Sequence, residues 1–278
     1  MLVNLNDVLK KAQAEHYGVG LFNTTDTDML EAAISAAEEL NSPIIIGTAE
    51  VLLPHGELDL IAPSIIAAAK RAKVPVVVHY DHGLTFDRCM QALKLGFTSI
   101  MFDGSLGDEA QNIAETAEVV KIAHSFGATV EGEIGHVGEA ATGDNSVTDS
   151  YTTPQEAEDF IKKTGVDALA VAIGTAHGAY KEKPRLDIER LKEIRATVDT
   201  PLVLHGGSGL SDDDFINTVR EGIAKVNIFT DLCNAGISAM KEGTEKGLSY
   251  LKIRDMKVKA IKEVVKNKIR LFGSENKA

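Results

Sequence analysis

Tryptophan is absent from this chain of 278 residues, and cysteine nearly so, with only Cys89 and Cys233. Two isolated thiols outside any CxxC pair supply no disulfide framework and fit a reducing compartment. Basic charge is also short: 29 Lys and Arg stand against 41 Asp and Glu, a formal net charge of −12. That field repels phosphate backbones, which argues against nucleic-acid partners while leaving room for one small basic pocket. No apolar run approaches the roughly 18 residues of a spanning helix, so no membrane partner is expected. The opening MLVNLNDVLKKAQAEH has no basic stretch followed by an apolar one, so no secretory signal is expected either. Nucleotide fingerprints are missing too, since no GxGxxG follows a strand-like run and no GxxxxGK(S/T) occurs. Together these absences lead to the expectation of a cytoplasmic, acidic protein that acts on a small molecule.

What is present is a rhythm. Short apolar runs at 18–23, 43–49, 75–80, 98–103, 128–134, 167–173, 201–206 and 225–230 alternate with segments of helical periodicity such as 28–41 and 154–167. The runs are rich in Val and Ile and poor in polar alternation, as strands buried on both faces should be. Pro154 suits a first helical turn and Gly165 a helix end. Eight such units predict an α/β chain folded as a (β/α)8 TIM barrel, with parallel strands joined by helical crossovers. No Pro/Ser-rich linker divides the chain, so one domain over 1–278 is expected, with an added C-terminal helix at about 253–271. The lysines of that helix read as a solvated face over an apolar stripe.

In such a barrel the chemistry sits at the C-terminal ends of the strands. Asn23 ends the first run, His79 to Gly83 the third and Asp103 the fourth, while Glu131 and Glu133 lie in the fifth. The sixth leads into Gly174 to Gly178, the seventh into His205 to Gly209, and the eighth carries Asn227. His82, His177 and His205 each fall just past a strand and each precede a glycine. Three imidazoles with an open fourth position are a recurring catalytic zinc arrangement. His79 reads as a residue behind the site, His16, His55 and His124 as structural, and His136 as a loop residue within reach. Asp81, beside a candidate ligand, can move a proton on a bound substrate or orient a histidine. Asp103, Glu131 and Glu133 are candidates for secondary ligands or polar residues at the mouth. The glycines of HGGSG at 205–209 offer backbone amides to an anion such as phosphate, with Asn227 and Thr230 beyond the next strand and Lys181 adding a cation.

These motifs taken in order, YDHG at 80–83, AHG at 176–178, HGGSG at 205–209 and NIFT at 227–230, resemble the class II, metal-dependent ketose-bisphosphate aldolases. The likeness extends to IRLFGS at 269–274 and is strongest to the shorter fructose- and tagatose-bisphosphate aldolase branch. It implies a lyase with one Zn2+ per chain held by His82, His177 and His205, and Asp81 as the proton-transfer residue. The metal would stabilise the enediolate of dihydroxyacetone phosphate. The substrate phosphate would sit on Gly178, Lys181, Gly206, Ser208, Asn227 and Thr230, with Asn23 and Phe229 touching the rest of the substrate. A monovalent cation (Na+ or K+) and a homodimer or homotetramer are implied as well. One half departs from the family pattern. Phe229 stands where fructose-bisphosphate enzymes carry Asp and tagatose enzymes Ala. Cys233 replaces a basic residue that grips the far phosphate, and no Asp-Pro-Arg occurs in 247–255. The expected aldehyde partner is therefore not glyceraldehyde 3-phosphate, unless Arg254 or a neighbouring subunit supplies the charge.

Three rivals remain open at this level. A Schiff-base aldolase needs a lysine central to a strand, and only Lys225 comes near, opening the eighth run. A metal-dependent hydrolase would use the same ligands. A sugar-phosphate-binding, non-catalytic subunit would keep the fold without turnover.

Overall fold

A computed structural model describes residues 1–135, 138–139, 151–177 and 184–278, with backbone alone at 138, 139 and 177. Eight parallel strands close into a barrel: β2 (Val19–Asn23), β3 (Ile44–Ala49), β4 (Val76–Gly83), β5 (Ser99–Phe102), β6 (Thr129–Ile134), β8 (Ala168–Val171), β10 (Leu202–Leu204) and β11 (Ile223–Ile228), the last pairing back onto β2. Every one of the eight apolar runs forms a barrel strand. The reason is burial on both faces. Phe22, Ile44, Ile46, Val78, Ile100, Val130, Leu169, Leu204 and Val226 point outward under the helices, while Leu21, Ile45, Val77, Ala170 and Val203 point inward.

The helices of the outer ring are α2 (Thr27–Glu39), α3 (Leu58–Arg71), α4 (Phe86–Leu95), α5 (Glu109–Ser125), α6 (Pro154–Thr164), α7 (Ile188–Thr197), α8 (Asp212–Arg220) and α9 (Thr230–Glu245). Pro154 opens α6, and Gly165 closes it in the left-handed conformation, as the terminus chemistry predicts. Several features of the described residues lie outside the eightfold pattern. A two-residue strand, β1 (Leu2–Val3), adds to the start of β4. Helix α1 (Leu5–Ala14) buries Leu5, Val8, Leu9 and Ala12 against the inward apolar residues and so plugs the barrel floor. Two short strands, β7 (Gly138–Glu139) and β9 (Ala176–His177), pair with each other.

The C-terminal helix α10 spans Tyr250–Leu271, three residues longer at its start than expected. Ile261, Val265 and Ile269 form its buried stripe. Its basic face is not merely solvated: Arg254, Lys257, Lys262 and Lys266 reach acids of α2 and its N-cap, namely Asp26, Asp28, Glu31 and Glu39. Phe272 ends the helix fully buried, its ring edge-on to Phe215 at 5.3 Å and its carbonyl accepting from Gly18 N–H. Phe272→Ala should therefore cost about 3–5 kcal/mol, read as a lower urea midpoint, whereas a variant within 1 kcal/mol of the parent would show that α10 is a loose appendage.

Candidate active site at the top of the barrel

Two local irregularities put the polar residues where they are. Strand β4 slips register against β5 between Tyr80 and Gly83, and His82 in that slip adopts a positive φ of 42°. Strict alternation would send Asp81 and His82 to opposite faces. The bulge lets both face the barrel mouth, at the cost of a backbone conformation that non-glycine residues avoid. Gly83 completes the turn, since a Cβ there would lie 2.4 Å from Cys89 Sγ and 2.7 Å from the Met101 carbonyl oxygen.

At the centre, His82 Nε2 and His205 Nδ1 face each other at 2.7 Å. The far nitrogen of each ring is held by a carboxylate: His82 Nδ1 lies 2.7 Å from Asp103 Oδ2, and His205 Nε2 lies 2.7 Å from Glu131 Oε1. Each imidazole that donates its N–H to its acid turns a lone pair toward the other. Two lone pairs at hydrogen-bond distance repel unless a proton or a cation shares them. Burial opposes a charge on His82, but Asp81, Asp103 and Glu133 outweigh it, and its pKa is pushed up to about 9. His205 goes the other way, lowered by complete burial and by the neighbouring His82. The side chains of Asp81, His82 and His205 bring ligand atoms within 4.8 Å of one another, as do those of His82, Asp103 and Glu133. The donor set, two carboxylate-backed imidazoles with an adjacent carboxylate, fits a divalent metal well.

Asp81 is buried beside them and accepts from Asn23 Nδ2 at 2.7 Å and from Asn227 Nδ2 at 3.0 and 3.1 Å. Burial alone would raise its pKa, but His82, His79, Lys225 and His205 hold it well below the usual carboxylate range. The result is an ionised carboxylate clamped by two amides, whose own Oδ1 atoms are buried with no hydrogen-bond partner among the described residues. His79 sits beneath, with Nδ1 2.7 Å from Ser99 Oγ, so it packs behind the site as expected. His124 pairs with Asp167 at 2.8 Å away from it.

These residues open into a cavity of about 320 Å³ that is also lined by Asn23, Glu133, Gly206, Ser208, Asn227, Phe229 and Thr230. Gly206 has φ +64°, and a Cβ there would meet the carbonyl oxygen of Ala176 at 2.4 Å. That contact brings the residue before His177 against the residue after His205. The His177 side chain, Gly178, Lys181 and His136 lie outside the described residues. Ser208 Oγ accepts from Phe229 N–H at 3.2 Å. The helix after HGGSG, α8, is not an open anion site: Ser211 and Asp214 form a capping box and Asp212, Asp213 and Asp214 fill its first turn. Helix α9 differs, because its N-cap is Phe229, with no side-chain cap hydrogen bond. Its first-turn amides and positive dipole end face the cavity through Thr230.

Two sequence expectations need correction. Lys225 does not open its strand. It is the third of the six residues of β11, fully buried, with Nζ 2.7 Å from Glu131 Oε2. The ladder to β10 skips Ala224, so Val203 pairs with Lys225, and from there regular alternation puts outward Val226 between Lys225 and Asn227 on the inward face. It does not line the cavity. Glu131 accordingly is neither a mouth residue nor exposed: it lies fully buried between Lys225 and His205. Arg254, the alternative source of positive charge, is engaged by Asp28 and Glu31 and is likewise away from the cavity.

The fold and the cluster together have the build of a barrel enzyme with room for a divalent metal at its mouth. The chain matches the family "Fructose-bisphosphate aldolase class-II" over residues 3–277. It is 39% identical to the fructose-bisphosphate aldolase of Thermus caldophilus over 308 aligned positions, and 38% identical to that of Helicobacter pylori strain 26695, covering all of both chains in each case. The crystal structure of the YdjI aldolase from Escherichia coli K12 superposes with a TM-score of 0.90 at 37% identity, again over the whole of both chains. This chain belongs to the class II fructose-bisphosphate aldolase family. It is an aldolase, a lyase of a metal-dependent family, and among its described residues no helix is long and apolar enough to cross a membrane.

A divalent ion that entered this cluster through His82 would have to displace a proton. Because that histidine's pKa is raised to about 9, protons compete for it throughout the neutral range. Apparent affinity for a divalent ion such as zinc at this cluster should climb by up to about tenfold per pH unit between roughly pH 6 and 9 and then level off. Calorimetric titration in buffers of different ionisation enthalpy measures this directly. A pH-independent affinity with no proton release would contradict the assignment.

Proposed function

We propose that the chain cleaves a ketose 1-phosphate or ketose bisphosphate, reversibly, into dihydroxyacetone phosphate and an aldehyde that is not glyceraldehyde 3-phosphate. The observation that carries this reading is the face-to-face approach of His82 and His205 beside the amide-clamped Asp81. Zinc is the proposed ion, one per chain, held by His82, His205 and His177, because imidazoles suit it. When bound, it polarises the ketone and stabilises the negative charge that gathers on the substrate oxygens during cleavage.

The remaining work falls to the chain. Asp81 accepts the proton of the C4 hydroxyl as the C3–C4 bond breaks and C4 becomes the aldehyde carbonyl; the bonding pair passes to the ketone oxygen, and C3 then takes up a proton from water as the carbonyl reforms, which completes dihydroxyacetone phosphate. Asn23 and Asn227 hold the Asp81 carboxylate in place and offer their Oδ1 atoms to substrate hydroxyls. Asp103 and Glu131 orient the two histidines rather than bind the ion. The phosphate of the donor half rests on Gly206, Ser208 and the uncapped first turn of α9 at Thr230, with Gly178 and Lys181 assigned to the same group. A monovalent cation beside the phosphate, a single domain over 1–278, a homodimer or homotetramer, and a cytoplasmic location complete the proposal.

The acceptor half is argued from the mouth of the cavity. Val51, Leu52, Leu84, Leu106 and Phe229 line it, and no Lys or Arg does so among the described residues. The nearest lost contact, Cys233, is half-buried near Asp26 and Lys257, and Lys257 is spent on Asp26 and Asp28. A terminal phosphate would enter such a mouth without a charge-assisted partner.

In D2O the protein should exchange a proton of dihydroxyacetone phosphate stereospecifically, and EDTA should abolish the exchange. Condensation with an uncharged aldehyde such as glyceraldehyde should exceed that with glyceraldehyde 3-phosphate in kcat/KM, and Asp81→Ala should lower kcat about 10²–10⁴-fold. Efficient cleavage of fructose 1,6-bisphosphate at micromolar KM would overturn the acceptor assignment. Absence of exchange in zinc-loaded protein would favour the hydrolase or the binding subunit instead.

A further inference from the structure

We propose that Lys225 is a positioning residue that sets which nitrogen of His205 carries the proton, acting through Glu131. This rests on the reading that His205 is a metal ligand. It adds that the ligand's competence is decided by a cation which touches neither metal nor substrate.

The geometry is a single file down the barrel axis. Lys225 Nζ lies 2.7 Å from one oxygen of Glu131, and the other oxygen of Glu131 lies 2.7 Å from His205 Nε2. All three side chains are fully buried. An ionised carboxylate can only accept hydrogen bonds. Glu131 in that form requires the proton on Nε2, which leaves the Nδ1 lone pair directed toward His82. A protonated Glu131 carries an O–H and could donate to Nε2 instead, sending the His205 proton to Nδ1, where it blocks coordination. Nearby groups do not all favour ionisation: Asp81 shares His79 with Glu131, both carboxylates lying within 3.8 Å of His79 Nε2. Lys225 is the positive charge in direct contact with Glu131, and its place two residues before Asn227 on the same strand face puts it there. A buried lysine that serves no packing need is expensive, and a role in ligand orientation accounts for its place.

Glu131→Gln makes the test sharp, because the amide is isosteric but has one accepting and one donating end. With Lys225 present, the amide oxygen must turn to the ammonium and the NH2 to His205 Nε2, which forces the Nδ1–H tautomer. Zinc affinity, measured by chelator competition, should drop about 10–100-fold. The 15N spectrum of histidine-labelled, metal-free protein should show His205 switched from Nε2–H to Nδ1–H. In the double variant Glu131→Gln with Lys225→Met the amide is free to rotate and present its oxygen to Nε2–H. Affinity should then recover at least threefold over the single variant, and the Nε2–H signal should return. A double variant that binds zinc no better than Glu131→Gln overturns the proposal, as does a single variant that keeps Nε2–H. Far-UV circular dichroism checks folding. Should Lys225→Met unfold, the tautomer of Glu131→Gln alone decides. A parent protein that takes no zinc would refute the metal assignment, and the tautomer measurement would still decide the role of Lys225.

Discussion

Two histidines aimed at each other, each backed by a carboxylate, create the constraint around which the top of this barrel is built. His205 is pinned by Glu131 and His82 by Asp103. With both rear nitrogens donating, the space between the rings has to hold positive charge. The apolar inward residues and helix α1 close the barrel from below, so a cation would reach that space from the cavity side. The surrounding charges all answer to that demand. Asp81 and Glu131 remain ionised in full burial, Glu131 with a pKa held down to about 2, because Lys225 and the histidines outweigh the cost of desolvation. An enzyme that stabilises developing negative charge needs such a preformed site for a cation, since a fixed arrangement of charge costs nothing to reorganise at the moment of reaction.

The division of the barrel follows from this. The lower inward layer, Leu21, Ile45, Val77, Ala170 and Val203, supplies stability. Above it, His79, Glu131 and Lys225 are neither core in the ordinary sense nor substrate contacts. They convert a dry interior into a support for the ligands. The uppermost residues, Asn23, Asp81, His82, Ser208 and Asn227, meet the cavity. Helix termini are assigned with equal economy: α8 neutralises its own N-terminus with Ser211 and Asp214, whereas α9 leaves its first turn uncapped where it meets the cavity.

Much of this is legible from residue order alone, and the exceptions have physical causes. Strands buried on both faces read as continuous apolar runs, so all eight barrel strands stand out. Asp81, His82, His205 and Asn227 stand out because chemistry in a closed parallel barrel gathers at strand ends. Part of what is not legible depends on a bulge. Alternation gives no hint that both Asp81 and His82 face the mouth, because the slip after Tyr80 and the positive φ of His82 are tertiary outcomes. Lys225 escapes for a different reason, since β11 begins two residues before the apolar run that marks it and so makes Lys225 an interior strand residue. A signal did exist: counting back by twos from inward-facing Asn227 places Lys225 on the same face. Helix α1 and strand β1 were hidden because their partners, the barrel floor and β4, are remote in sequence. Likewise the glycines of HGGSG draw attention to the helix that follows them, yet the uncapped terminus belongs to the next one.

The contrast between a fully furnished donor side and an apolar mouth has a physical logic. Asp81, Asn23 and Asn227 sit on barrel strands and Thr230 at the first turn of a helix, where a shift of a fraction of an ångström is costly. The mouth is lined by Val51, Leu84, Leu106 and Phe229, and the first three are substantially exposed. Replacing such residues changes little in stability, because they bury little area in the free protein. Asp26, Asp28 and Glu31 are engaged by Lys257 and Arg254 of α10. Residues at the rim can therefore change without disturbing either the seat of the C-terminal helix or the buried polar cluster beneath the cavity.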